Sequence, residues 1–201
     1  MPVMDPRNAR SRRTREALLA AARSLIESEG LAGLTMGAVA EHAGVSRRAV
    51  YLHFASRTEL VTALFAYVNE TEDLAGSLRP VVEAPDGEQA LVEWARHLAR
   101  YHPRLITIGR ALQRSRDSDP DAASHWALVT RDWHRHCHAL AARLHAERRL
   151  APPWTVETAA DMLWALMSFD VLEGLLVERQ WSSQQLADHL AALFRATFVA
   201  S

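Results

Sequence analysis

Lysine is missing from these 201 residues, and all 23 basic side chains are arginine. Against 24 acidic residues and 10 histidines the formal net charge is −1, which excludes a surface that coats polyanions uniformly. Isoleucine occurs only 3 times, and no Asn-Gly or Asp-Gly pair separates alternating apolar runs; Asp86-Gly87 follows Pro85 and leads into a helical pattern. Hairpins are disfavoured, while 35 alanines and 26 leucines point to an all-α chain. The single cysteine, Cys137, excludes an internal disulfide. The most apolar stretch, Met162 to Phe169, is far short of the ~20 residues that cross a bilayer. Met1 to Arg15 is polar and Arg-rich, without the apolar run of a secretory signal. The expectation is a cytoplasmic protein with no membrane span.

What is present is 49% hydrophobic and unevenly charged. Residues 1–60 carry nine arginines and six acids, a net +3, and residues 61–201 carry fourteen and eighteen, a net −4. A basic head on an acidic body follows. Leu18, Ala22, Leu25 and Ile26 line one face of a helix over 14–29, which Gly30 stops. Thr35 caps a short second helix, Gly44 supplies the turn, and Ser46 caps a third that ends near His53. Ser56 and Glu59 form a capping box that opens a longer helix. Beyond it, Pro80, Pro85 and Gly87 predict a loop over 78–87. Further helices carry Trp94, Leu98 and Tyr101, then about 104–116, then a stripe from Trp126 to Leu144. Thr155 caps a helix that is apolar nearly all round from Met162 to Val177, and Ser182 with Gln185 caps the last, for about nine helices.

The run Thr35 to Phe54, TMGAVAEHAGVSRRAVYLHF, has the parts of a helix-turn-helix: two short helices, a glycine turn, and small or apolar residues between them. With its continuation YLHFASRTEL and the preceding EGLAGLTM it closely resembles the TetR/AcrR family of bacterial transcriptional regulators. That resemblance implies an all-α homodimer with an N-terminal helix-turn-helix DNA-binding domain, residues 1–56. It further implies a C-terminal domain, residues 57–201, that binds a small effector and dimerises.

At the matching positions, Thr35, Ser46, Tyr51, His53 and Arg57 are expected at phosphates of a double-stranded DNA operator, the first two as hydroxyls at helix N-termini. Arg57 stands where the family usually has lysine, which keeps the cation but changes it to a bidentate fork. Arg47 and Arg48 open the recognition helix, and arginine to guanine O6/N7 is the commonest specific base contact. The alternative is that both touch only phosphate. Arg7, Arg10, Arg12, Arg13 and Arg15 form a basic arm for the DNA or a solvated tail.

In such an architecture the middle helices enclose the effector. Trp94, Tyr101, Trp126, Trp133 and Trp164, with His97, Arg110, Gln113 and Asp170 as polar neighbours, are the candidates for a small hydrophobic or aromatic molecule, although each aromatic has an ordinary core role open to it. Leu163, Leu166, Phe169 and Leu176 along one helix and Leu186, Leu190, Leu193 and Phe194 along the next form the expected two-fold dimer face, part of which must cover the chain's own core. His134, His136 and His138 flank Cys137, but no further ligand set accompanies them, so no metal and no cofactor is expected. The leading reading is a ligand-responsive repressor released from a palindromic operator, without catalytic residues. Its alternatives are an activator, a regulator controlled by a protein partner, and a His-based metal-binding helical protein.

Overall fold

The structure, a computed structural model, describes Pro6–Ala200, with side chains from Arg10 onward, so the side chain of Arg7 lies outside the described residues. Eleven α-helices form among them: α1 Pro6–Gly33, α2 Met36–His42, α3 Arg47–His53, α4 Arg57–Thr71, α5 Leu74–Glu83, α6 Gly87–Tyr101, α7 Ile106–Ser115, α8 Pro120–Ala146, α9 Val156–Leu166, α10 Phe169–Glu173 and α11 Ser183–Phe198. A 3₁₀ turn at His102–Arg104 and a π turn at Gly174–Glu178 complete the order. The one extended pairing among the described residues is an isolated bridge between Leu150 and Val199.

The chain divides into two compact units. One comprises the described residues up to Thr71 together with Thr107–Trp126, the other Glu72–Ile106 and the described residues from Ala127 onward. In the first, α1 packs against α2 and α4 and buries Leu18, Ala22, Leu25 and Ile26. Each such leucine adds about 2 kcal/mol on leaving water. Gly30 interrupts α1 with φ 73°, which L residues adopt at a cost, and Leu31 and Leu34 then turn inward. Arg10 to Arg15 lie on α1 and not on a separate tail. Arg15 is fixed: its guanidinium lies 4.3 Å over the Phe54 ring and donates to the His53 carbonyl at 3.1 Å. Ser56 Oγ accepts from Glu59 N–H at 3.1 Å, while the Glu59 carboxylate reaches Ala55 N–H at 2.7 Å. α4 packs in the same unit as the three helices before it, so the compact head extends past residue 56.

In the second unit α6 packs between α5 and α11 around Leu91, Trp94, Leu98, Leu163, Leu186, Phe194 and Phe198. Two expectations are corrected here. Most of residues 78–87 is not loop, because α5 runs through Pro80: Asp73 caps it at Gly76 N–H (3.1 Å), and Leu78 and Val81 pack on the core. That packing outweighs the loss from a mid-helix proline. The helix expected through Val177 also breaks after Leu166, where Ser168 Oγ accepts from Val171 N–H at 3.3 Å and starts α10. These breaks raise the helix number above the expected nine. The capping boxes of Thr155 and Ser182 are both formed.

Candidate nucleic-acid interface and ring-lined site

Thr35 Oγ1 accepts from Ala38 N–H at 3.1 Å and Ser46 Oγ from Ala49 N–H at 3.2 Å, so α2 and α3 begin where their capping residues require. Gly44, at φ 66°, turns the chain between them. α3 buries Val50 and Phe54 follows it inward, leaving Arg47, Arg48 and Tyr51 exposed. A Cβ on Gly37 would meet Arg47 Nε at 3.7 Å, so the Arg47 side chain lies against the first turn of α2. One helical turn past Arg48, Leu52 is 77% exposed. Sequence reasoning passed over it because an apolar residue next to Phe54 reads as core. His53 is half-buried, with its carbonyl held by Arg15.

Arg57 does not match its expected role. Its Nε donates to the Leu34 carbonyl (2.8 Å) and Nη2 to the Leu31 carbonyl (3.0 Å). Nη1 and Nη2 meet Asp119 at 3.3 and 2.8 Å, and Nη1 meets Asp121 at 2.6 Å. Thr58 adds a hydrogen bond to Asp121 at 2.7 Å. Every nitrogen of the guanidinium is engaged inside the protein, which corrects the expectation of a phosphate contact by this side chain. Partial burial alone would push Asp119 up, but its hydrogen bonds from Arg57 and from the Ala122 and Asp121 N–H groups hold it below the usual carboxylate range.

In the second unit, four of the expected effector residues come together. The His97 ring stacks 5.1 Å from Trp94 and 5.3 Å from Tyr101, and Trp133 lies 5.4 Å from His102. His102 and Phe169 complete the group, with centroids 6.1 Å apart, and Ser77 Oγ sits 2.9 Å from His97 Nδ1. His102 was missed because Pro103 marks its neighbourhood as a helix break. Trp94, His97 and His102 are all buried, yet Trp94 Nε1 and both His102 ring nitrogens have no hydrogen-bond partner among the described residues. Burial pushes the His102 pKa down to about 4. Burial, with the positive potential of His102 and Arg100, lowers His97 to about 3. Both rings are neutral at pH 7.

Five further residues are expected at the effector from the sequence. Arg110, Gln113 and Trp126 belong to the other unit, where Arg110 Nη1 bonds Gln113 Oε1 at 3.3 Å and Arg116 lies 5.8 Å from the Trp126 ring. Trp164 is 38% exposed on α9, and Asp170 is exposed in the first turn of α10. The expected dimer face also needs correction: Leu163, Phe169, Leu186, Leu190 and Phe194 are buried in the chain's own core, and Leu166 and Leu176 are partly so. Of that set only Leu193 is exposed; the other outward apolar residues on these two helices are Met162, Trp164 and Ala165 on α9 and Ala192 and Ala196 on α11. A stripe periodicity finds the buried face of a helix, and here it found the inner one.

His134 Nε2 lies 2.9 Å from Asp161 on the surface, and no three His, Cys, Asp or Glu side chains among the described residues are grouped as a metal would need. Cys137 is buried, with its thiol 3.6 Å from Met167 Sδ, and burial pushes its pKa up to about 12. Such a thiol is inert. No described helix is long and apolar enough to cross a membrane.

Comparison with known proteins places this architecture. Residues 18–64 match the model for bacterial regulatory proteins of the tetR family. Over 60 residues the chain is 42% identical to the HTH-type transcriptional regulator TtgR of Pseudomonas putida, a match that spans 30% of this chain and 29% of that protein. Two solved structures agree with nearly the whole fold. NalD, the secondary repressor of the MexAB-OprM multidrug efflux pump in Pseudomonas aeruginosa, is 21% identical with a TM-score of 0.73 over 96% of this chain and 98% of its own. A transcriptional regulator from Saccharomonospora viridis, solved in complex with choline, is 14% identical with a TM-score of 0.75 over 94% and 100%. Residues 18–64 are thus similar to the bacterial regulatory proteins of the tetR family, and the likeness to the solved structures extends over the fold of nearly the whole chain.

Proposed function

We propose that this protein is a ligand-responsive transcriptional repressor: a homodimer whose two α3 helices enter successive major grooves of a palindromic operator and leave it when a small hydrophobic or aromatic effector binds. The observation that carries the reading is the capped α2–α3 pair, inside the stretch matched to the family, which leaves Arg47 and Arg48 exposed at the start of α3. Arginine there suits guanine O6/N7, and the hydroxyls of Thr35, Ser46 and Tyr51 suit phosphate oxygens. Arg57 is left out of the DNA contacts. The effector reading rests on the buried ring group of the second unit, and the choline complex of the Saccharomonospora viridis protein shows that a chain of this fold takes a small molecule.

Dimerisation through the outward faces of α9 and α11 would use Met162, Trp164, Ala192, Leu193 and Ala196, since small residues beside larger apolar ones allow close helix approach. An effector that binds one body conformation better than the DNA-bound one lowers operator affinity by linkage, whatever the structural route. Fluorescence anisotropy with the DNA flanking the protein's own gene, competed by random DNA at two salt concentrations, tests the reading. Two protomers per site, retained against competitor, are expected. Equal loss to competitor and to salt at every DNA tested would remove the claim of sequence-specific regulation.

A further inference from the structure

Three ring nitrogens lie inside the second unit without a partner among the described residues: Trp94 Nε1, His102 Nδ1 and His102 Nε2. Both residues flank His97, whose ring is 5.1 Å from Trp94 and 6.0 Å from His102. A neutral imidazole has one N–H and one bare nitrogen, so the set amounts to two donors and one acceptor. Leaving such groups unmade destabilises the free protein, and folded proteins hold few of them. Two residues with this property beside one stacked ring group are the signature of a polar partner supplied from outside.

We propose that Trp94 and His102 make the polar contacts of the effector, and that the effector is an uncharged aromatic molecule with at least two oxygen functions, one of them a hydroxyl. This assignment rests on the regulator reading above. The two donors need lone pairs, for which oxygens are the commonest neutral acceptors, and the bare nitrogen needs a donor, for which a phenolic O–H is the strongest uncharged choice. The two His102 nitrogens sit on different edges of the ring, so a single ligand atom does not serve both. The faces of Tyr101, Trp133 and Phe169, grouped around His102, suit an aromatic body. A quaternary ammonium would meet the ring faces but brings no lone pair to either donor. A carboxylate would meet both donors and leave the bare nitrogen against an acceptor, in surroundings where burial already holds His97 and His102 uncharged.

The test is isothermal titration with three probes that share one ring: methyl 4-hydroxybenzoate, 4-hydroxybenzoate and (4-hydroxybenzyl)trimethylammonium. The ester is expected to bind at least tenfold more tightly than either charged probe. His102→Phe keeps a ring and removes both nitrogens, and Trp94→Phe removes the indole N–H, so each is expected to weaken the ester tenfold or more; the second variant serves if the first folds poorly. Preference for a charged probe, no binding of any probe, or unchanged affinity in the folded variants would overturn the assignment. Anisotropy on the same preparations separates it from the regulator reading. Specific DNA binding without the expected probe order removes the effector class alone, whereas ester binding without specific DNA recognition removes the regulator alone.

Discussion

Two guanidinium nitrogens of Arg57 meet the two carboxylate oxygens of Asp119, Nη1 to Oδ1 at 3.3 Å and Nη2 to Oδ2 at 2.8 Å. Asp119 is at the same time the cap of α8, accepting from the N–H groups of Asp121 and Ala122 at 3.0 and 3.1 Å. The start of α4, the carbonyls of Leu31 and Leu34 and the start of α8 are thereby one hydrogen-bonded knot within the first unit. Its centre is a partly buried cation with several acceptors, a stronger arrangement than a solvent-exposed pair.

Removing that centre is expected to destabilise the fold and not to alter counterion release. Arg57→Ala should cost about 2–3 kcal/mol in urea unfolding, because carboxylates and carbonyls lose a charged donor. Arg57→Lys should fall between, since the ammonium cannot span the fork. The slope of log affinity against log salt for DNA should stay unchanged, where loss of a phosphate contact would lower it by about 1. A reduced slope in a folded Arg57→Ala protein would return this side chain to the DNA backbone.

Arg48 and Arg47 should separate by sequence dependence. Arg48→Ala is expected to cost about 1–3 kcal/mol on the operator and relax preference at one base pair, with little change on random DNA. Arg47, leaning on the first turn of α2 near Gly37, should show a smaller operator-specific effect. Anisotropy against operator and scrambled duplexes reads both. Equal losses on the two duplexes for Arg48→Ala would make it a phosphate contact.

Stability should fall as pH drops below the ordinary histidine range. His102 is about 4 in the folded protein and about 6.5 when unfolded, so below pH 6.5 the unfolded chain binds the extra proton and gains relative to the fold. The contribution is absent above pH 6.5 and grows by about 1.4 kcal/mol per pH unit down to about pH 4, where it levels. His97 adds a similar slope that continues to about pH 3. Urea midpoints measured from pH 7.5 to 4.5 should decline, and His102→Phe should make the decline shallower by close to one proton. An unchanged slope in that variant would show that His102 is charged in the fold.

The proposed dimer should respond to outward residues and not to the inward ones beside them. Leu193→Asp or Met162→Asp should give monomers by sedimentation velocity with little loss of helicity. Leu190→Asp, at a buried position of the same helix as Leu193, should lower folding stability itself by several kcal/mol through an unpaired buried charge. A Leu193→Asp and Met162→Asp double variant that stays dimeric would place the interface elsewhere.

The amino-acid order alone determined the all-α class, the α2–α3 pair and the starts of most helices, because those features close over three or four residues. Thr35 to Ala38, Ser46 to Ala49 and Ser182 to Gln185 are hydrogen bonds a reader can draw without coordinates. What only tertiary structure decided are relationships that no period encodes. Arg57 finds Asp119 across 62 residues, and a basic residue placed by motif beside DNA is turned into the protein instead. The stripe through Leu186, Leu190 and Phe194 is legible as apolar, but an amphipathic pattern does not say whether the facing surface is the same chain or another. His102, hidden beside a helix-breaking proline, acquires its meaning from burial: water is removed from its two nitrogens and, among the described residues, nothing replaces it.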